Sequence, residues 1–297
     1  MRRWKIDPAM SGGRPFRSGA GAFAWWLVCR RDLHDLWIGG KALLLLLVYT
    51  VVIGTSTYLM VRSSQLDLTP PKEMVWATLQ TCIYVGVFMS LLIAADALSG
   101  ARERAMMETL LLTPASRTQI VVGKFLASMS PWPAAMVVTY PCLLVVSQGD
   151  PILYPAIKWV GYVGSLLVFG FTGLAMLVSF WSTSNRTSLF ISLSIYVLFL
   201  LPALLPGQAQ KGLVGKFFQR SNPLAAADEF LEKVIVNNRS LHDYGSWLKG
   251  PYVFPIVVFV LLFLYAAPRL RLEAGGRRLF RLSWGHTPRL FASAEST

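Results

Sequence analysis

The residues of this 297-residue chain that could do chemistry are few, and they gather between Asp96 and Lys124. The stretch reads DALSGARERAMMETLLLTPASRTQIVVGK and carries Arg102, Glu103, Arg104, Glu108, Arg117 and Lys124 between two long apolar runs. Its apolar residues Met106, Met107, Leu110, Leu111 and Leu112 are too few to cross a bilayer, which takes about 20. A polar insert of this kind lies at a water-facing surface. Its charges suit ionic docking, because the groups that catalysis needs are missing around it. The apolar runs hold scattered Ser, Thr and Tyr with no base to activate them. His34, His242 and His286 all fall outside those runs, so no set of His and carboxylate metal ligands forms within them. Proton-coupled transport uses chains of buried ionisable groups, whereas Asp96 is the only one well inside an apolar run. Its expected part is to pair with the loop arginines, with a direct part in transport as the alternative.

Nor does the chain hold a phosphate-cradling loop. That loop needs Gly-x4-Gly-Lys followed by Ser or Thr. Gly40-Lys41, Gly123-Lys124 and Gly215-Lys216 are followed by Ala, Phe and Phe, without the upstream glycine.

Within the polar stretch, Arg104, Met107, Leu110 and Leu111 recur at 3–4 residue spacing and predict a short two-faced helix. Thr113-Pro114 ends it, since the residue before a proline is pushed out of helical geometry. Ser116 is the predicted cap of a second helix starting near Arg117 and running into the next apolar run.

Glu103, Glu108, Leu111, Leu112, Thr113, Pro114, Ser116, Arg117, Gly123 and Lys124 together resemble the cytoplasmic loop of type-2 ATP-binding-cassette (ABC) exporter permeases. That loop runs close to E-R-E-x-G-T-L-E-x-L-L-x-T-P, then S-R and G-K. The chain departs from it at Ala101, where the first acid is expected, and at Ala105-Met106-Met107 in place of G-T-L. The resemblance implies a coupling element that touches a separate ATPase subunit. Glu108, Thr113 and Pro114 would shape it, with Glu103, Arg104 and Arg117 at the contact. It further implies ATP bound by that partner and no cofactor here, a second permease subunit, and a multi-pass protein of the bacterial inner membrane. The alternative is a non-transporting scaffold or a lipid-acting membrane enzyme. The substrate is not legible.

The elements that position this loop follow from composition. Hydrophobic residues make up 54% and charged residues 14%, and mean hydropathy is +0.51. Soluble domains carry roughly 25% charged residues, so the chain reads as an all-α polytopic membrane protein. Six spans are predicted, near Ala42–Val61, Val75–Leu98, Arg117–Val146, Trp159–Trp181, Ser188–Leu205 and Tyr252–Ala267. The last lengthens if Trp247–Pro251 joins it. Residues 1–22 read as a disordered basic tail and not as a signal peptide. Residues 23–41 form an interfacial amphipathic helix with Trp26 and Trp37 at headgroup depth, and they are a second candidate contact for the ATPase. The six-span domain covers 42–267, with the coupling loop at 99–120 and an external segment at 206–250. A basic tail follows over 268–297.

With both termini cytoplasmic, nineteen Lys and Arg fall inside and nine outside, as the positive-inside rule requires. The net charge of +13 then reports orientation and anionic membrane lipids, with no need of nucleic acid. In the external segment, Asn222-Pro223 opens a helix whose Leu224, Ala227, Phe230, Leu231, Val234 and Ile235 form an apolar stripe. Asp228, Glu229, Glu232 and Lys233 are expected to face away from it. Pro131, Pro133 and Pro141 can bend the third span, and Gly161, Gly164, Ser165, Gly170 and Gly173 let the fourth pack closely. Cys29, Cys82 and Cys142 read as small buried hydrophobes.

Overall fold

The computed structural model describes residues 24–62, 70–104, 116–204, 221–237 and 245–269. They are 92% helical without strands. Helix α1 (Ala24–Ile38) is too short to cross a bilayer. Gly39-Gly40 turns the chain, with Gly40 at φ +77°, a conformation that glycine adopts without strain. Six helical runs are then long and apolar enough to span. Span 1 is α2 (Lys41–Arg62) and span 2 is α3 (Pro71–Glu103). Span 3 joins α4 (Arg117–Met129) to α5 (Pro131–Ser147). Span 4 runs through α6 (Leu153–Trp159), a π-helical stretch (Val160–Gly164) and α7 (Ser165–Trp181). Span 5 is α8 (Asn185–Leu204). After α9 (Pro223–Ile235), span 6 comprises α10 (Lys249–Val260), a π-helical stretch (Leu261–Ala266) and a closing turn (Ala267–Arg269).

Three bounds move from the sequence reading. Span 2 runs on to Glu103, because nothing in Ser99–Arg102 breaks a helix, so the predicted loop 99–120 begins inside it. Span 4 starts at Leu153, and span 6 takes in Lys249–Pro251. The residues 1–23 and 270–297 lie outside the described residues, as do 105–115 and 205–220.

Spans 2 and 4 form the centre, each buried over most of its length, while spans 1 and 5 stand at the flanks with broad exposed apolar faces. What brings the centre together is Trp132. Its ring lies against Gly86 of span 2 and Gly164 of span 4, where any Cβ would collide with it. Its Nε1–H donates to Ser165 Oγ at 2.9 Å, which satisfies the one polar atom of a buried indole. Of the prolines, Pro131 and Pro133 start α5 just after a break at Ser130, while Pro141 sits inside a continuous helix. Pro131 loses nothing at a helix start, where its missing N–H would be unpaired anyway. Span 1 is tied in by Tyr49, whose hydroxyl lies 2.9 Å from Cys82 Sγ and 2.5 Å from Thr139 Oγ1.

Helix α9 begins where the sequence places it. Asn222 caps it by accepting from the N–H of Leu224 and Ala225. One expectation about it is corrected: Asp228 does not face away. It lies four residues after Leu224, one turn along the same stripe, and points at span 2. There Gln80 Nε2 donates to its Oδ2 at 2.7 Å, and the buried Trp76 indole N–H and Tyr84 hydroxyl stand beside the carboxyl. Burial pushes the Asp228 carboxyl up to about 7. Glu232 and Glu229 on its own helix add to the rise, and the Gln80 hydrogen bond opposes it.

The docked helix therefore prefers the protonated acid. Docking is strongest below the ordinary aspartate range near 4 and weakens as pH rises from there towards 7. Hydrogen exchange over Pro223–Ile235, corrected for intrinsic rates, should show protection falling across that window. Asp228→Asn should keep the protection and lose most of its pH dependence.

Candidate functional site

The end of the bundle that carries Glu103, Arg104 and Arg117, called the loop end below, gathers the polar residues. Asp96 sits on span 2 two turns before Arg104. Arg104 Nη2 contacts its two carboxylate oxygens at 3.0 and 2.9 Å, and Lys41 Nζ, at the start of span 1, reaches Oδ2 at 2.6 Å. Gly100 lies between Asp96 and Arg104, and a side chain there would occupy the space of both. All three charged groups are partly solvated, so each pair adds little stability. The clasp fixes geometry: span 1, span 2 and the entrance to residues 105–115 meet at one carboxylate.

One turn away a hydroxyl works its way into span 2. Ser179 Oγ, from span 4, donates to the Ala95 carbonyl at 2.7 Å and accepts from the N–H of Leu98 and Ser99 at 3.2 and 2.9 Å. Ser99 Oγ and Ser188 Oγ also donate to the Ala95 carbonyl. Side chains that enter the backbone ladder are recognised sites of helix bending. Span 5 joins at the same level, where Asn185 N–H donates to Glu103 Oε1 at 2.7 Å. A carboxylate at a helix N-terminus also complements the helix dipole.

The chain returns at Ser116 through a reciprocal cap. Ser116 Oγ accepts from Gln119 N–H, and Gln119 Oε1 accepts from Ser116 N–H. Arg117 Nη1 then donates to the Pro268 carbonyl at 3.0 Å, which ties span 3 to the end of span 6. Further along α4, Gly123 presses on the backbone of α1 between Trp25 and Cys29. Lys124 Nζ, only 6% exposed, pairs with Asp32 of α1 at 2.9 Å, and Trp37 Nε1–H donates to Ser130 Oγ at the break in span 3. Helix α1 is therefore seated along α4.

Of the residues expected at the site, Glu103, Arg104, Arg117 and Asp96 lie together at this end, each engaged within the chain. Glu108, Thr113 and Pro114 lie outside the described residues. Sequence reasoning did not single out Lys41, Asp32, Ser179 or Asn185 as partners. Lys41 could have been found, as a cation at the start of an apolar run after Gly-Gly. Nothing local marks Ser179. Among the described residues no three His, Cys, Asp or Glu are grouped to hold a metal.

A family profile described as "ABC-2 family transporter protein" matches residues 36–262. The chain belongs to that family. It is a multi-pass membrane permease of an ABC transporter. The match begins within α1 and ends within span 6, so it takes in the whole loop region. Comparison with curated proteins returned no match.

Removing one partner of a buried ion pair strands the other and costs about 3–5 kcal/mol. Asp32→Ala should therefore lower the unfolding midpoint in detergent strongly, and Asp32→Ala with Lys124→Met should recover much of the loss. Equal destabilisation by the single and double variants would show that α1 is not held through this pair.

Proposed function

We propose that this permease is the membrane subunit of an exporter, that its loop end is cytoplasmic, and that the loop takes mechanical work from a separate ATPase subunit that binds the ATP. Two permeases, identical or related, pair with two ATPases. The observation that carries this reading is how the two edges of the 105–115 segment are tied. Its first edge joins spans 1 and 2 through Asp96 and span 5 through Glu103. Its second edge joins span 6 through Arg117, and α1 through Lys124. A force on the segment is thereby passed to spans 1, 2, 3, 5 and 6 and to α1.

The mechanism follows from these ties. Closure of the ATPases pushes residues 105–115 and α1 together. Because α1 is seated on α4, the push rotates α4 against α5 about the break at Ser130. Because Arg104, the residue that closes span 2, is clasped to Asp96 within it, the same push bends span 2 where Ser179 enters its ladder. Both movements converge on Trp132, between spans 2 and 4, and widen a path towards the outside. The charge distribution supports the orientation, since the loop end carries the excess of Lys and Arg.

Coexpression with an ATP-binding-cassette ATPase subunit encoded beside this chain, where one is found, tests the reading. Glu108→Ala with Arg117→Ala should reduce copurification of the ATPase or uncouple its ATP hydrolysis from transport. Labelling of Arg104→Cys should proceed from the cytoplasmic side alone. A variant that binds and couples like the parent, or a cysteine reached only from the outside, rejects the assignment.

A further inference from the structure

A cavity of about 740 Å³ opens at the loop end, beneath α1 and between spans 1 and 5, with span 2 as its floor. Ligand pockets commonly fall in a range of roughly 300–1,000 Å³. Its walls share one polarity gradient. Lys41 stands at the loop-end level of span 1, with Leu44 and Leu45 one turn deeper. Asp96 stands at that level on span 2, with Leu92 and Ile93 one turn deeper, and Asn185 precedes Leu189 on span 5 in the same way. Leu44 is 64% exposed and belongs both to the cavity and to the open apolar face of span 1, so the cavity is continuous with the surface that meets acyl chains.

The charged level is not neutral. Four cations line it against three carboxylates. Asp96 is shared by Lys41 and Arg104, which leaves that trio with one positive charge in excess. Asp32 is taken up by buried Lys124. Arg31 makes no ion pair among the described residues, and Asp35 is 59% exposed. We propose that this cavity holds an acidic phospholipid of the leaflet on the loop side. Its monoanionic phosphodiester lies between Arg31 and Lys41, and its glycerol and first methylenes rest on Leu44, Leu92 and Leu189. Phosphate suits this place because a guanidinium offers it two parallel donors and an ammonium a compact charge. The lipid would wedge between α1 and span 1, so the acidic-lipid content of the membrane would set how firmly α1 is seated. The inference rests on the membrane-spanning architecture and not on coupling to an ATPase.

Native mass spectrometry of the purified full-length protein in mild detergent tests it, with titration by phosphatidylglycerol or by phosphatidylcholine. One phosphatidylglycerol should be retained roughly thirtyfold better than phosphatidylcholine, whose choline cation offsets the same phosphodiester, as expected for two cations near a net-negative headgroup. Arg31→Gln with Lys41→Gln should bring it down to the phosphatidylcholine level; Asp96 keeps Arg104 in that variant. Arg186→Gln, a cation at the same end outside the cavity lining, should change nothing. Ala97→Phe fills the cavity without touching a charge and should lower retention of both lipids, so it decides the matter if the double variant does not fold. Equal retention of the two lipids overturns the proposal, as does parental retention by the cavity variants or a lipid-free dimer with the cavity closed by a second copy. No ATPase is present, so failure here leaves the coupling reading standing.

Discussion

The constraint on which the rest of this structure depends is the close contact of spans 2 and 4. In a bilayer, apolar side chains gain nothing by leaving lipid for one another, so helices associate through close packing and hydrogen bonds. Here the packing is supplied by absent side chains at Gly86 and Gly164, which leave a slot for the Trp132 ring. The hydrogen bonds are supplied by Ser165 at that slot and by Ser179 near the loop end. Spans 1, 3 and 5 then dock on this pair, and span 6 lies along span 4, with Gly170 and Gly173 against Phe254 and Val258.

The loop end joins several helices through contacts that are individually modest. No single pair there is strong, since most of the groups are half solvated. What matters is that each joins a different helix to the edges of one short segment. The exception is Lys124–Asp32, which is buried and therefore costly to break. The seat of α1 is thus firmer than the clasp on span 2.

The two ends of the bundle treat their carboxylates in opposite ways. Asp96, in reach of water and held by two cations, remains an ionic partner. Asp228, shut against span 2 with Glu229 and Glu232 beside it, is driven towards its neutral form. Chemically identical groups become a solvated ionic clasp in one place and a buried, hydrogen-bonded contact between α9 and span 2 in the other.

Much of the architecture was legible in the sequence. Six spans, the short helix before them, the cap at Ser116 and the start of α9 at Asn222-Pro223 follow from run length, capping chemistry and proline geometry, which act over a few residues. The polar stretch stood out because charge is conspicuous in so apolar a chain, and its described members Asp96, Glu103, Arg104 and Arg117 do lie at one end of the bundle. Asp228 was misread because a face was assigned by residue type, whereas its helical position placed it with Leu224. Only the tertiary structure decided that Asp32 meets Lys124, that Ser179 enters the ladder of span 2, and that Trp132 fills the slot between two glycines. Each of these joins residues more than thirty positions apart. Local sequence determines which segments must be helices, because backbone groups in lipid have to be satisfied within their own segment. It cannot determine which helices touch, because that depends on where small and large side chains come opposite one another across the bundle.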